Sequence, residues 1–134
     1  MTEHISAAEY REMKPKSLKY HNQKTVVDGR MFDSQKEANY YCELKLLKQA
    51  GEITDFLCQV DFVVHDGYYQ GLKWIKPIYY RADFVVDKIC LDCQTMDPKL
   101  IREIHETKGK WTRSALDKRK MFEKRYREYK FLVI

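Results

Sequence analysis

Y-R-A-D-F-V-V at 80–86 and I-H-E-T-K-G at 104–109 are the two runs on which the fold turns. Each is apolar and β-branched enough to be a buried strand, and each has charged residues set into it. Side chains two apart on a strand point to one face, so Glu106 and Lys108 are expected to project together while Thr107 points away. If the two strands are neighbours, Asp83 joins that pair. Two carboxyls and an ammonium on one strand face suit a hard divalent cation with a lysine beside it.

Working outward, the order of elements is legible. T-V-V-D-G-R-M-F at 25–32 places Asp-Gly between apolar runs, a hairpin signal. Ser34 and Glu37 form a capping-box pair at the start of a helix that runs to Ala50 and stops at Gly51. At 100° per residue, Glu37, Tyr41, Leu44 and Leu47 share one face of that helix, with Glu43 well away from it. Glu37 therefore reads as a cap residue and as an acid on the buried side. Ile53 to His65 is the first long strand, ending at an Asp66-Gly67 turn. Asp55, Gln59 and Asp61 alternate along it and share its polar face. Pro77 to Val86 is the second strand, Asp87 to Leu100 a loop into which Ile89–Leu91 can extend the strand, and Lys99 to Thr107 the third. Thr112 caps a helix through Glu128, with Ala115, Arg119, Phe122 and Tyr126 on one face, and Phe131 to Ile134 is a last short strand. The expected fold is mixed α/β, a central β-sheet flanked by helices with an N-terminal β-hairpin. A flexible arm is expected at 1–22, with a short helix near Ser6–Met13, before a single domain at 23–134.

The 134 residues suffice for one hydrophobic core, 44% of them are hydrophobic, and 34% are charged. No run approaches the roughly 20 apolar residues of a membrane span, and the N-terminus lacks a secretory pattern. Four cysteines, Cys42, Cys58, Cys90 and Cys93, follow no disulfide framework, so reduced thiols and a cytoplasmic location are expected. Cys90 and Cys93 make half of a zinc motif, and the sequence supplies no other half. Net charge is +5, but Lys108 to Lys130 holds ten cations against Asp117, Glu123 and Glu128. Lys110, Arg113, Lys118 and Arg119 fall in this stripe. Alone it reads as a solvated helix face; beside the acidic pair it suits a polyanion, nucleic acid above all.

Phosphodiester hydrolysis needs an activated water and charge neutralisation at phosphorus. Magnesium is held by one or two carboxylates plus substrate phosphate and keeps several waters. Asp83 and Glu106 fit that role, with the Thr107 carbonyl as a third ligand, and manganese accepts the same oxygens. Lys108 would orient the nucleophile or stabilise charge in the transition state.

D-x(n)-E-x-K, preceded by a helix carrying an acid and followed by a basic helix, resembles the PD-(D/E)XK nuclease superfamily. The wider pattern, V-V-D-G-R-M-F-D-S-Q-K-E-A, F-L-C-Q-V-D-F, Y-R-A-D-F and E-T-K-G, is similar to a family of short phage and prophage proteins of unassigned function. Resolvase-like nucleases and a transposase endonuclease subunit share the layout. The resemblance spans about residues 20 to 134. It implies a restriction-endonuclease-like core and a metal-dependent endonuclease acting on DNA, branched or replicating DNA among the candidates, in the host cytoplasm if phage-encoded. It implies Asp83 and Glu106 as metal ligands and Lys108 as catalytic lysine. Glu37 matches the helix acid and Gln59 the strand glutamine, while Thr112 and Lys118 fall where the following helix approaches the cleaved strand. Ala82 stands where the pattern has proline, and the 87–100 stretch is an unusual insertion. Cutting two strands symmetrically would call for a homodimer. The alternative is a nuclease-fold module that binds DNA, or a host defence or recombination protein, without cutting. An RNA-directed nuclease is a third reading, in which Tyr68, Tyr69, Trp74 and Trp111 stack on unpaired bases. Core packing is the simpler expectation for most of these rings.

Overall fold

The computed structural model describes residues 23–134, so the arm expected at 1–22, with its short helix, lies outside the described residues. The described residues fall into two compact units divided after Ala38, and each is taken by itself.

In the first unit, β1 (Thr25–Val27) and β2 (Arg30–Phe32) form an antiparallel hairpin. Asp28 and Gly29 both sit at positive φ, 53° and 73°, which a two-residue type I′ turn demands. Asp-Gly tolerates that backbone, and the hairpin forms where expected. The Ser34 hydroxyl then accepts from the Glu37 amide at 3.1 Å and opens α1 (Gln35–Gln49). The Thr25 hydroxyl donates to Gln35 Oε1 at 3.0 Å, tying the hairpin to this first turn.

Helix α1 crosses the division and ends as expected. Gly51 adopts φ 79°, and its amide and that of Glu52 return to the carbonyls of Lys48 and Leu47.

The second unit contains β3 (Asp55–His65), β4 (Tyr68–Gln70), β5 (Lys73–Ile75), β6 (Ile78–Leu91), β7 (Pro98–Glu106), α2 (Arg113–Arg125) and β8 (Tyr129–Val133). Four strands form one mixed sheet in the order β3-β6-β7-β8, antiparallel except for β8, which runs parallel to β7. Parallel pairing requires a crossover, and α2 supplies it. Helices cover both faces. The paired residues Phe84 and His105 have their rings 5.4 Å and 5.8 Å from that of Tyr40 on α1. The next pair along, Val85 and Ile104, clusters on the other face with Val64, Tyr80, Ala82 and the fully buried Phe122 of α2. Phe62, Tyr80 and Tyr126 each place a ring centroid 5.1 Å from that of Phe122. This is the mixed α/β sheet that the sequence predicts.

Several elements differ from expectation. The stretch 87–100 is no loop insertion, because β6 continues to Leu91, β7 begins at Pro98, and Asp87 to Leu91 pair with Pro98 to Arg102. Asp92 closes the remaining turn by accepting from the amides of Gln94 and Thr95. Polar residues at 87, 88 and 97–99 concealed a pairing whose strands project into solvent. Helix α2 stops at Arg125 rather than Glu128, where Tyr126 leaves helical geometry and its hydroxyl bonds the Val63 carbonyl. Strand β8 accordingly starts at Tyr129. The hairpin of β4 and β5, turning at Gly71, has no counterpart in the sequence reading. Among the described residues no helix is long and apolar enough to cross a membrane.

Candidate active site

β6 and β7 are neighbours, and their register continues from Phe84 opposite His105 to Asp83 beside Glu106. The two residues interlock. The Asp83 amide donates to Glu106 Oε1 at 3.2 Å, and Asp83 Oδ2 accepts from both the amide and the hydroxyl of Thr107, each at 2.9 Å. The hydroxyl of Tyr80 donates to the same Glu106 Oε1. Glu106 Oε2 is buried with no hydrogen-bond partner, and Lys108 Nζ lies 3.9 Å from it as an ion pair.

Burial is the largest influence on Glu106, with the Asp83 charge second; together they push its carboxyl up to about 7 against the Tyr80 hydrogen bond and Lys108. Burial, again with the adjacent carboxylate, raises the Tyr80 hydroxyl far above its usual range, so it stays a proton donor. A buried carboxyl with one unsatisfied oxygen, next to a second carboxyl, is unfavourable in its charged form unless positive charge faces it. Among the described residues no three His, Cys, Asp or Glu side chains converge on one point. Two carboxyls nonetheless match what magnesium takes from protein when substrate phosphate and water complete its shell. The donor set therefore fits Mg2+ or Mn2+.

Lys108 Nζ lies near Glu106 Oε2, but strand alternation does not put it there, because β7 ends at Glu106. Thr107 does not point away: β7 ends at Glu106, alternation ceases there, and the Thr107 hydroxyl turns onto Asp83. The contact tying Thr107 to the site is thus its amide and hydroxyl. Gln59 lies where the β3–β6 register, Cys58 to Phe84 and Val60 to Ala82, brackets it against Asp83. It takes φ 52°, so strand alternation from Asp55 is interrupted at this residue. Asp55 and Asp61, meanwhile, form outward ion pairs with Lys48 and Arg81. Glu37 is buried and belongs to the first unit.

In the basic segment, Lys110 and Arg113 are exposed and Lys118 is half-buried. Thr112 is the N-cap of α2, accepting from the Ala115 amide at 3.1 Å. Arg119 is held in place rather than free to reach out. Its Nε meets Glu123 at 2.8 Å, and its guanidinium lies over the rings of Phe131 and Trp111 at 4.1 Å and 5.2 Å. The Trp111 ring also has Lys108 Nζ 5.3 Å from its centroid.

Sequence reading did not select Tyr80 for the site, and named Trp111 only as a ring that could stack on unpaired bases. A further signal for each was proximity, Tyr80 three residues before Asp83 and Trp111 three after Lys108. A polar network on the opposite sheet face also went unread: Lys88 pairs with buried Glu103 at 2.7 Å, and Tyr40 Oη lies 2.5 Å from His105 Nδ1. Burial holds the His105 imidazole below its usual range and, with Glu43 and Glu103 nearby, pushes the Tyr40 hydroxyl up to about 12. This network ties α1 to the strand that carries Glu106. All four cysteines are free.

Over residues 17–134 the chain matches the family model described as protein of unknown function (DUF1064), and it belongs to that family. No curated protein and no solved structure matches it.

Proposed function

We propose that this member of the DUF1064 family is a divalent-metal-dependent endonuclease that hydrolyses DNA phosphodiester bonds on a restriction-endonuclease-like, PD-(D/E)XK core. One observation carries the reading. Asp83 and Glu106 stand together where β6 and β7 pair, with a Glu106 oxygen buried and unbonded and the Lys108 ammonium 3.9 Å away. The order α1, β3, β6, β7, α2, β8, with β8 parallel to β7, supports it as well.

Asp83 and Glu106 would hold Mg2+ or Mn2+, which supplies Lewis acidity toward the phosphoryl oxygens when bound. Thr107 fixes Asp83 with two donors, leaving its other oxygen for a ligand. Tyr80 fixes Glu106 in the same way. Lys108, between the rings of Tyr80 and Trp111, places positive charge where the phosphoryl group gains negative charge in the transition state. Lys110, Arg113 and Lys118 offer phosphate contacts around the start of α2.

The test is cutting. Purified protein is incubated with labelled duplex, single-stranded, flap and four-way-junction DNA in Mg2+, Mn2+ or EDTA, beside Glu106→Ala and Lys108→Ala. Cutting is expected with either metal, none in EDTA, and a loss of at least about a hundredfold in rate for both variants while DNA binding persists. Wild type that binds DNA but cuts none of these substrates, with binding indifferent to Glu106→Ala, would leave DNA binding as the function.

A further inference from the structure

The hairpin of β4 and β5 stands outside the site, and the aromatic residues expected in the core are displayed on its surface. Tyr68, Tyr69 and Trp74 are 49%, 70% and 48% exposed, and Leu72 at the tip is fully exposed. Such a cluster in water is unfavourable unless something covers it. The rings are nonetheless fixed. Tyr69 and Trp74 face each other across the hairpin with centroids 4.8 Å apart. The Trp74 ring lies so close over Gly67 that a Cβ there would come within 2.5 Å of it. At the hairpin's base, Asp66 is held by Arg125 of α2 at 3.0 Å.

Charge identifies the partner. From Gly67 to Ala82 every charged residue is a cation, Lys73, Lys76 and Arg81, and Arg81 alone is neutralised, by Asp61. Lys73 and Lys76 are exposed and have no ion-pair partner among the described residues. A protein partner or a second copy would find an apolar edge here, but nothing in that would favour unpaired lysines on either side of Trp74 in the chain. Fixed aromatic faces with exposed cations close by in the chain match unpaired nucleobases on a phosphate backbone, because every base has a face to stack and every linkage an anion to neutralise.

We infer that the β4–β5 hairpin binds unpaired bases of single-stranded DNA, stacking them on Tyr69 and Trp74 with Lys73 and Lys76 on the flanking phosphates. This rests on the reading of DNA as substrate and makes DNA with an unpaired segment the preferred form. It does not depend on hydrolysis.

The experiment is therefore done in EDTA. The chain has two tryptophans, so Trp111→Phe leaves Trp74 as the sole reporter. Fluorescence of this full-length protein is titrated with oligo(dT) and, separately, with blunt duplex of equal length. Oligo(dT) is expected to quench Trp74, and Tyr69→Ala is expected to weaken binding by about tenfold. In the protein with both tryptophans, Lys73→Ala with Lys76→Ala should flatten the salt dependence of oligo(dT) affinity by about two phosphate contacts. These side chains are exposed, and an unchanged melting temperature confirms that each variant is folded. No quenching, or equal oligo(dT) affinity in Tyr69→Ala, overturns the inference, as does loss of self-association on Leu72→Asp with DNA affinity unchanged. Stacking without any metal-dependent cutting leaves the inference standing and removes the nuclease reading; cutting that is indifferent to the hairpin does the reverse.

Discussion

Glu106 is a buried carboxyl with one oxygen held by Tyr80 and the Asp83 amide and the other unbonded. Its folded-state titration near 7, against an ordinary 4.5, means that the folded chain binds more protons than the unfolded chain between those values. Stability from this group is full below about pH 4.5 and is lost as pH rises through 7, by roughly 3 kcal/mol at most. His105 acts oppositely in part of the same window, because its depressed titration costs stability as pH falls below 6.5. The comparison must therefore be differential. In EDTA, Glu106→Gln should gain on wild type steadily from pH 5 to pH 8 in urea melts. A stability difference that does not change with pH would mean that the carboxyl is not held as described. Thr107→Val offers a second test at this scale. It keeps the amide bond to Asp83 and removes the hydroxyl bond, so cutting should slow by about tenfold with melting changed little. Unaltered cutting would separate Thr107 from the site.

Helix α2 shows how local signals set an element and where they stop. Thr112 caps it, and Thr112→Ala should cost about 1 kcal/mol in chemical denaturation. Phe122→Ala, at the centre of the aromatic core, should cost about 3–5 kcal/mol. A cost for Phe122→Ala no larger than that of the cap would contradict the packing described. Caps and turns were the most legible features: Asp28-Gly29, Ser34, Gly51 and Thr112 all act as their chemistry predicts. So was the pairing of strands that brings Asp83 to Glu106, because two apolar runs in a short chain have few other places to go. Less legible was what tertiary contact decides. Polar pairing from Asp87 to Leu91 resembles a loop in sequence, and the end of α2 is set by a Tyr126 bond to distant Val63. The turn of Thr107 onto Asp83 depends on a strand ending one residue earlier than alternation supposes.

Across the whole molecule, charge is segregated: ten cations lie between Lys108 and Lys130 while the remainder is slightly acidic. Part of that charge is structural, as Arg119 and Arg125 are committed to ion pairs, and part is presented to solvent by Lys110 and Arg113. Such asymmetry suits a polyanionic partner but says nothing of chemistry, which the proposed function assigns to the Asp83–Glu106 pair. Cutting by a preparation can come from trace contaminants, whereas an ion bound by the chain itself reports the pair directly. The measurement is Mn2+ binding followed by electron paramagnetic resonance, with wild type, Asp83→Asn, Glu106→Gln and Lys108→Ala in parallel. Wild type should bind one ion per chain in this site, each carboxyl substitution should weaken it by about tenfold or more, and Lys108→Ala should bind at least as tightly because a repelling charge has gone. Mn2+ affinity that is the same in wild type and Glu106→Gln would contradict the assignment of this pair as a metal centre.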